Sequence, residues 1–152
     1  MPLPPLKLQI TRRHLPHWTM EGATYFVTIR FRTTPLSKAE IRLVLESILS
    51  GDGKFFELDA AVVLPDHVHL LLVPQIGYSL SRIMKGLKGA TARRLNQLRR
   101  RQGTVWQDES FDRIVRDQKE FNEKVHYMCL NPVKAGLTDD PDNYEGWYVR
   151  KK

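Results

Sequence analysis

The sequence predicts an α+β domain with a ferredoxin-like or RRM-like four-stranded antiparallel sheet and helices mainly on one face. Two observations lead to this fold. The elements follow the order strand, helix, strand, strand, helix, strand, helix, so a hairpin joins two β-α-β halves. The chain has 152 residues, of which 41% are hydrophobic, and this is enough for one domain with a buried core.

The first strand and the first helix are predicted by local signals. A β-branched and aromatic run from Tyr25 to Phe31 predicts the strand. Ser37 and Glu40 have the spacing of a capping box, and apolar residues at helical spacing follow as far as Gly51. We therefore expect a helix that begins after Ser37.

The next two strands are predicted to form the central hairpin. Two apolar, β-rich runs extend from Phe55 to Leu64 and from Val68 to Val73, with Pro65 and Asp66 between them. Asp66 is expected to be a turn residue, and a hydrogen bond to a histidine is the alternative.

The second half is predicted to contain a long helix and a further strand. Ser79 can cap a helix with one apolar face, and Gly86 and Gly89 inside it predict a break or a close backbone contact. A strand is expected from Phe111 to Val115.

The last helix is predicted to begin after Asp117, which has capping-box spacing to Glu120. It is expected to end near Asn131, because proline disfavours helical backbone in the residue before it and Pro132 follows. Cys129 in this helix is expected to be a packed free thiol.

The net charge of +7 comes from one part of the chain. The segment from His67 to Gln107 contains no Asp or Glu, and it holds eight of the 24 Lys and Arg residues. Such a segment favours a polyanion as partner, most simply nucleic acid, and a solvated helix face is the alternative. We call these eight residues the basic stripe: Arg82, Lys85, Lys88, Arg93, Arg94, Arg99, Arg100 and Arg101.

Residues 1–20 are rich in Pro, Arg and His and lack periodicity, so they predict an extended arm that carries Arg12 and Arg13, followed by a single domain over 21–152. No apolar run is long enough to span a membrane, and the start of the chain does not resemble a signal peptide. The lone Cys129 cannot form an internal disulfide. A cytoplasmic protein is expected.

His67 and His69 begin the second strand of the predicted hairpin. Residues two apart in a strand point to the same face with Cα atoms about 6.6 Å apart, so the two imidazoles can converge on one ion. The alternative is a structural pair that is bonded to backbone or water.

Tyr127 and Asn131 are four residues apart on the last helix, on a strip that also holds Lys124. If this helix packs on the sheet, it can present a carboxamide oxygen as a third ligand and a phenol as a nucleophile beside the histidines. A half-buried packing role is the alternative for Tyr127.

Four segments carry a family resemblance: HVH within VVLPDHVHLLLVP, the helix IMKGLKGATARRLN, VWQDESFDRIVRD, and YMCLNPVKAGL. Together they resemble the REP-associated tyrosine transposases, which belong to the superfamily of single-tyrosine HUH transposases. The resemblance extends from the RRHLPHW arm to Leu137, which is nearly the whole chain.

The resemblance implies a role for each matched residue. His67 and His69 would bind a divalent metal ion, Mg²⁺ or Mn²⁺, with Asn131 as third ligand, and Tyr127 would be the nucleophile. Such enzymes cut single-stranded DNA, leaving a 5′-phosphotyrosine link and a free 3′-hydroxyl, and then rejoin strands. Members that act on REP sequences recognise hairpins with a single-stranded tag. Members of the wider family are often dimers, so a homodimer is possible. The resemblance also implies a bacterial, nucleoid-associated protein.

Two further residues have open assignments. Lys124 could steady a phosphate or the phenolate, or it could be a solvated helix lysine. Trp106 could stack on an unpaired base as part of the DNA-binding set, or it could lie at the edge of the core.

Two other functions are alternatives to the transposase. One is a non-catalytic RRM-like module that binds single-stranded or structured nucleic acid, and the other is a plasmid replication initiator or relaxase with the same chemistry. A pure binding module has no need of His67, His69, Tyr127 and Asn131 together, so the sequence favours the enzyme.

Overall fold

The computed structural model describes residues 22–32 and 35–151 of the chain. Five strands form one antiparallel sheet: β1 (Tyr25–Phe31), β2 (Phe56–Val63), β3 (His67–Pro74), β4 (Trp106–Ile114) and β5 (Trp147–Val149). Their order across the sheet is β4-β1-β3-β2-β5. The two strands of the predicted central hairpin are therefore present as neighbours, with β3 in the middle of the sheet.

Three α-helices cover the sheet: α1 (Lys38–Leu49), α2 (Leu80–Arg99) and α3 (Gln118–Lys134). The predicted caps are present, because the side chains of Ser37, Ser79 and Asp117 each accept a hydrogen bond from the backbone N–H three residues later. The α+β fold with an antiparallel sheet is confirmed. None of the helices in the described residues is long and apolar enough to cross a membrane.

The helices lie on opposite faces of the sheet, and two separate cores result. On one face α1 and α2 pack on alternate residues of the central strands, among them Val27, Ile29 and Leu70. On the other face α3 packs on Phe26 and Leu71. Because side chains alternate along a strand, the residues of β1 and β3 that share the α3 face are Phe26, Thr28, Arg30, His67, His69, Leu71 and Val73.

The sheet has one strand more than predicted. Val149 and Trp147 of β5 pair with Ala60 and Val62 of β2. The three-residue length of β5 gives too little alternation to identify a strand from sequence. Pairing with β2 over a separation of more than eighty residues fixes its conformation.

β4 begins at Trp106, five residues before the predicted start at Phe111. Its residues from Gln107 to Arg113 are all exposed, and Phe111 is the one apolar residue among them. The segment therefore has no apolar periodicity that would indicate a strand. Its strand conformation comes from ladder hydrogen bonds with β1, in which Ile29 pairs with Ser110 and Phe31 with Trp106. A strand stabilised by its neighbour rather than by burial is difficult to detect locally.

The predicted end of the last helix before Pro132 is wrong, because α3 continues to Lys134. A proline inside a helix removes one donor, but the following turn keeps its own hydrogen bonds. The N–H of Ala135 donates to the carbonyl of Asn131, and that of Leu137 donates to the carbonyl of Pro132. The helix therefore extends beyond Asn131 by about one turn.

Helix α2 is unbroken across Gly86 and Gly89. A Cβ atom at either position would meet no atom within 4 Å. The expected break or close contact is therefore absent from this described helix, and both glycines only weaken it relative to alanine.

We expect Gly86→Ala to raise the free energy of unfolding by up to about 1 kcal/mol, because alanine has the higher helix propensity and the space is open. Denaturant unfolding measures this. Gly136→Ala is the matched control with the opposite sign, since Gly136 has a φ of 75° that a side chain disfavours. Stabilisation by both substitutions, or by neither, would contradict the helix geometry.

Candidate active site

His67 and His69 lie side by side at the start of β3, on the face that α3 covers. Their ring centroids are 4.7 Å apart with an angle of 81° between the planes. His69 is 5% exposed, and its Nε2 is buried with no hydrogen-bond partner among the described residues. A buried polar atom without a partner is rare in folded proteins and calls for a ligand.

Each histidine has a neighbour at its other ring nitrogen. Asp66 Oδ1 lies 2.6 Å from His67 Nδ1, so the carboxylate accepts the Nδ1–H and leaves the lone pair on Nε2. Thr28 Oγ1 lies 2.8 Å from His69 Nδ1, and this hydroxyl can accept the Nδ1–H in the same way. Metal-binding histidines have such partners, which fix the tautomer and the ring orientation. The alternative considered for Asp66, a hydrogen bond to a histidine, is therefore observed.

The pKa of His69 is lowered from 6.5 to about 3. The main cause is burial, and electrostatic interactions with His67, Arg30 and Lys124 act in the same direction. Asp66 has a small opposing effect. His69 is thus neutral at neutral pH, which is the form that binds metal.

Tyr127 reaches the histidines from α3. Its ring centroid lies 5.4 Å from that of His69 and 6.5 Å from that of Phe26. The residue is 46% exposed, so a strand of DNA can approach it. Lys124, one turn earlier on the same helix, has its Nζ 4.7 Å from the centre of the Phe26 ring.

The residue types at the site suit a divalent ion. No cluster of three or more His, Cys, Asp or Glu side chains that could hold a metal occurs in the described part of the chain. A carboxamide oxygen is a suitable third ligand beside two imidazoles. Asn131 lies one turn beyond Tyr127 on α3 and is partly exposed.

Arg30 is a site residue that was missed from the sequence. It lies on β1 directly opposite His67 in the register, is exposed, and contributes to lowering the pKa values of His69 and Asp66. Burial alone would raise the pKa of Asp66, but the hydrogen bond from His67 and the nearby positive charges lower it. The alternation within YFVTIRF, which puts Phe26, Thr28 and Arg30 on one face, is the signal that could have identified it.

The basic stripe lies mostly on α2, on the sheet face opposite the histidines. Arg99 is mostly buried in an ion pair with Glu40, and Arg94 lies 3.9 Å from Glu46. Lys88 Nζ donates to the carbonyl of Gln107 at 3.3 Å. The exposed members are Arg82, Lys85, Arg93, Arg100 and Arg101. Arg12 and Arg13 lie outside the described residues.

The assignment of Trp106 to the DNA-binding set is wrong. The residue is 5% exposed and stacks on Phe31 with ring centroids 4.1 Å apart. Its indole N–H donates to Thr91 Oγ1 at 2.9 Å and to the carbonyl of Lys88 at 3.1 Å. Trp106 therefore joins α2 to the sheet, as the core-edge alternative expected.

Comparison with known families identifies the chain. The family described as Transposase IS200 like matches residues 26–128. The chain belongs to this transposase family. The matched range contains His67, His69 and Tyr127 and ends three residues before Asn131.

Two relatives have related names. The REP-associated tyrosine transposase of Escherichia coli K12 is 27% identical over 121 residues, which cover 77% of this chain and 70% of that protein. A Haemophilus influenzae protein provisionally given the same name is 30% identical over 94 residues, or 55% of this chain and 53% of that protein. The chain thus spans about half the length of the Haemophilus relative. These names agree with the resemblance and with an enzyme of the tyrosine transposase class.

Two solved structures have the same fold. A REP-associated tyrosine transposase bound to a REP hairpin matches with a TM-score of 0.71 at 21% identity, covering 91% of this chain and 82% of that chain. A Deinococcus radiodurans R1 protein provisionally described as a transposase matches with a TM-score of 0.51 at 22% identity, covering 78% of this chain and 95% of that chain.

The transposase should lose stability in EDTA as the pH falls from about 6.5 towards 3. Unfolded His69 takes up a proton that folded His69 does not, and each unit of pKa corresponds to about 1.4 kcal/mol, so the loss is on the order of several kcal/mol. We expect His69→Leu to remove this part of the pH dependence in urea unfolding. The control His126→Leu changes an exposed histidine and should keep the wild-type profile. A wild-type profile in His69→Leu would contradict the burial of a neutral imidazole.

Proposed function

We propose that this transposase cuts and rejoins single-stranded DNA through a 5′-phosphotyrosine link to Tyr127, acting on hairpin-forming DNA of the REP type. The proposal rests on the position of Tyr127 beside His69. The two ring centroids are 5.4 Å apart, and the buried Nε2 of His69 has no hydrogen-bond partner among the described residues. A nucleophile therefore lies next to a nitrogen that is available to a ligand. Residues 21–152 would act as a single catalytic domain.

A divalent ion, Mg²⁺ or Mn²⁺, fits this site. Nε2 of His67, Nε2 of His69 and the carboxamide oxygen of Asn131 would hold it. When bound, the ion supplies Lewis-acid polarisation of the scissile phosphate. The hydrogen-bond partners of the two Nδ1 atoms, Asp66 and Thr28, support this role because they leave both Nε2 lone pairs available.

The reaction proposed for Tyr127 is a displacement at phosphorus. The phenolic oxygen attacks the phosphorus atom, the bond to the 3′-oxygen breaks, and that oxygen leaves with a proton as a 3′-hydroxyl. The phenolic proton passes to solvent, which the half-exposed ring contacts. In rejoining, a 3′-hydroxyl attacks the same phosphorus and the tyrosine oxygen leaves, so the phosphotyrosine conserves the bond energy.

Two cationic side chains at the site would bind phosphates of the DNA backbone. Lys124 is close to Tyr127, with its ammonium group over the Phe26 ring, and Arg30 lies opposite His67. Hydrogen bonds between such cations and phosphate oxygens are the stronger, charge-assisted kind. The exposed members of the basic stripe, together with Arg12 and Arg13, would contact the hairpin stem.

The wider setting follows from the same function. We expect a cytoplasmic, nucleoid-associated bacterial protein that can act as a homodimer. The alternative is a non-catalytic nucleic-acid-binding module, which would bind DNA without forming a covalent adduct. Adduct formation therefore separates the two.

Tyr127→Phe should bind hairpin DNA with unchanged affinity and form no covalent adduct, because only the phenolic oxygen is lost. The measurement incubates the protein with labelled hairpins that carry a single-stranded tail, plus Mn²⁺, and resolves denaturant-resistant adducts on a gel. Tyr148→Phe on β5 is the matched control and should form adducts like the wild type. Equal adduct yield from Tyr127→Phe would exclude Tyr127 as the nucleophile.

Thr28→Val should weaken Mn²⁺ binding by about 10- to 100-fold, the range for loss of a residue that orients a metal ligand. Titration calorimetry without DNA measures this independently of catalysis. Thr24→Val is the matched control, since the Thr24 hydroxyl is buried and has no hydrogen-bond partner among the described residues. Unchanged Mn²⁺ affinity in Thr28→Val would refute the orienting role.

A further inference from the structure

Phe111 shares a sheet face with the active site. In the register, Phe111 of β4 lies opposite Thr28 of β1, and Thr28 lies opposite His69 of β3. Directly opposite residues of antiparallel strands project to the same face, and the 2.8 Å contact between Thr28 and His69 agrees with this. Phe111, Thr28 and His69 therefore form a row across three strands.

This row is open to solvent at its Phe111 end. Two strand spacings separate the Cα atoms of Phe111 and His69, a distance of about 10 Å. Helix α3 covers Phe26 and Leu71 nearby, but Phe111 stays 64% exposed. The ring belongs to neither hydrophobic core, so the fold does not account for an aromatic residue there.

The surroundings of Phe111 are suited to a nucleic-acid strand. Arg30 is exposed on the same face of the neighbouring strand. Arg113, two residues further along β4, has a half-exposed side chain that contacts Glu120. Surfaces that bind single-stranded nucleic acid combine cations that follow the backbone with aromatic rings on which bases stack.

We propose that Phe111 is a stacking site for one unpaired nucleobase of the DNA strand, next to the phosphate that Tyr127 attacks. This inference rests on the proposed function and adds a subsite to it. Bases within a duplex stem already stack on each other, so the occupant is a base of the single-stranded tag. Stacking tolerates any base because each has a π face.

A second copy of the chain is the less suitable occupant. An exposed edge strand can pair with another chain, but charges on the edge oppose this. β4 carries Asp108, Glu109 and Asp112 within three residues of Phe111. These charges oppose pairing of β4 with the same strand of a second copy.

The test measures binding without catalysis. Full-length Tyr127→Phe protein in EDTA is titrated, by fluorescence anisotropy, against the REP hairpin that binds most tightly in a panel of tailed hairpins. Adding Phe111→Ala should weaken binding by about 5- to 150-fold, the range for loss of one base–aromatic stack, and Phe111→Trp should retain the affinity. Phe55→Ala removes an exposed aromatic ring beside Arg82, Lys85 and Arg93, and any loss of affinity that it causes should be the same with or without an abasic site in the tail.

Two further measurements separate stacking from other causes. An abasic site at one position of the tail should remove the difference in affinity between the Phe111→Ala protein and its parent, whereas abasic sites elsewhere should preserve it. The slope of log K against log salt should not change with Phe111→Ala, since no phosphate contact is lost.

Three results would overturn the proposal: equal binding by Phe111→Ala, a loss that no abasic position removes, or a dimer in sedimentation equilibrium that Phe111→Ala converts to monomer. The proposed function is tested separately, since it fails if protein with the native Tyr127 forms no adduct with Mn²⁺ or if Tyr127→Phe forms as much adduct as the wild type. Normal adduct formation with unchanged Phe111→Ala affinity would refute the stacking site alone.

Discussion

The contact between Phe26 and His69 is the interaction on which the site depends. The two rings stack with centroids 5.2 Å apart, and the same Phe26 ring has a T-shaped contact with the Tyr127 ring and lies beneath the ammonium group of Lys124. Phe26 is also part of the core beneath α3. Packing of α3 on the sheet therefore brings the tyrosine, the lysine and the histidine together in one step, and the site forms only when this core forms.

Burial keeps the His69 imidazole neutral, and it also lowers the stability of the fold. A buried imidazole with one unpaired nitrogen destabilises the fold, because that nitrogen has lost its hydrogen bonds to water. The apolar strands around it offset this loss, since β3 is almost wholly buried on both faces. The same burial holds the ring neutral and fixed, so a ligand that pairs with Nε2 recovers lost interaction energy instead of having to order the site.

Most of the fold could be predicted because its signals are local. Capping residues, apolar periodicity and the HVH triplet each lie within a few residues, and they predicted β1, the helix starts and the histidine pair. The missed strands and the placement of Trp106 depend on distant contacts. β4 and β5 lack a clear apolar alternation. They are strands because β4 hydrogen-bonds to β1 and β5 hydrogen-bonds to β2. Trp106 follows the basic stripe in sequence, yet its contacts with Phe31 and Thr91 are set by how α2 packs on the sheet.

The same distinction applies to the site. Alternation along β3 predicted that His67 and His69 share a face, but the neighbours Thr28 and Arg30 depend on the register of β1 against β3. No local pattern determines that register, since a shift by two residues preserves the face and changes every partner. Residue types could therefore be predicted, whereas the partners that set tautomer and charge required the structure.

The two faces of the sheet impose a route on any DNA that contacts both the basic stripe and Tyr127. The stripe lies on the α2 side and the nucleophile on the α3 side, so such a strand must pass around an edge of the sheet. The β4 edge is the nearer one, because Lys88 of the stripe donates to the backbone of Gln107 in β4, and Phe111 of the same strand lies in the row that leads to His69. In the proposed mechanism β4 therefore contacts DNA as well as forming one edge of the sheet. It connects the surface that would hold the hairpin to the site that would cut its single-stranded tag, which gives a role to a strand that contributes little to either core and is exposed along most of its length.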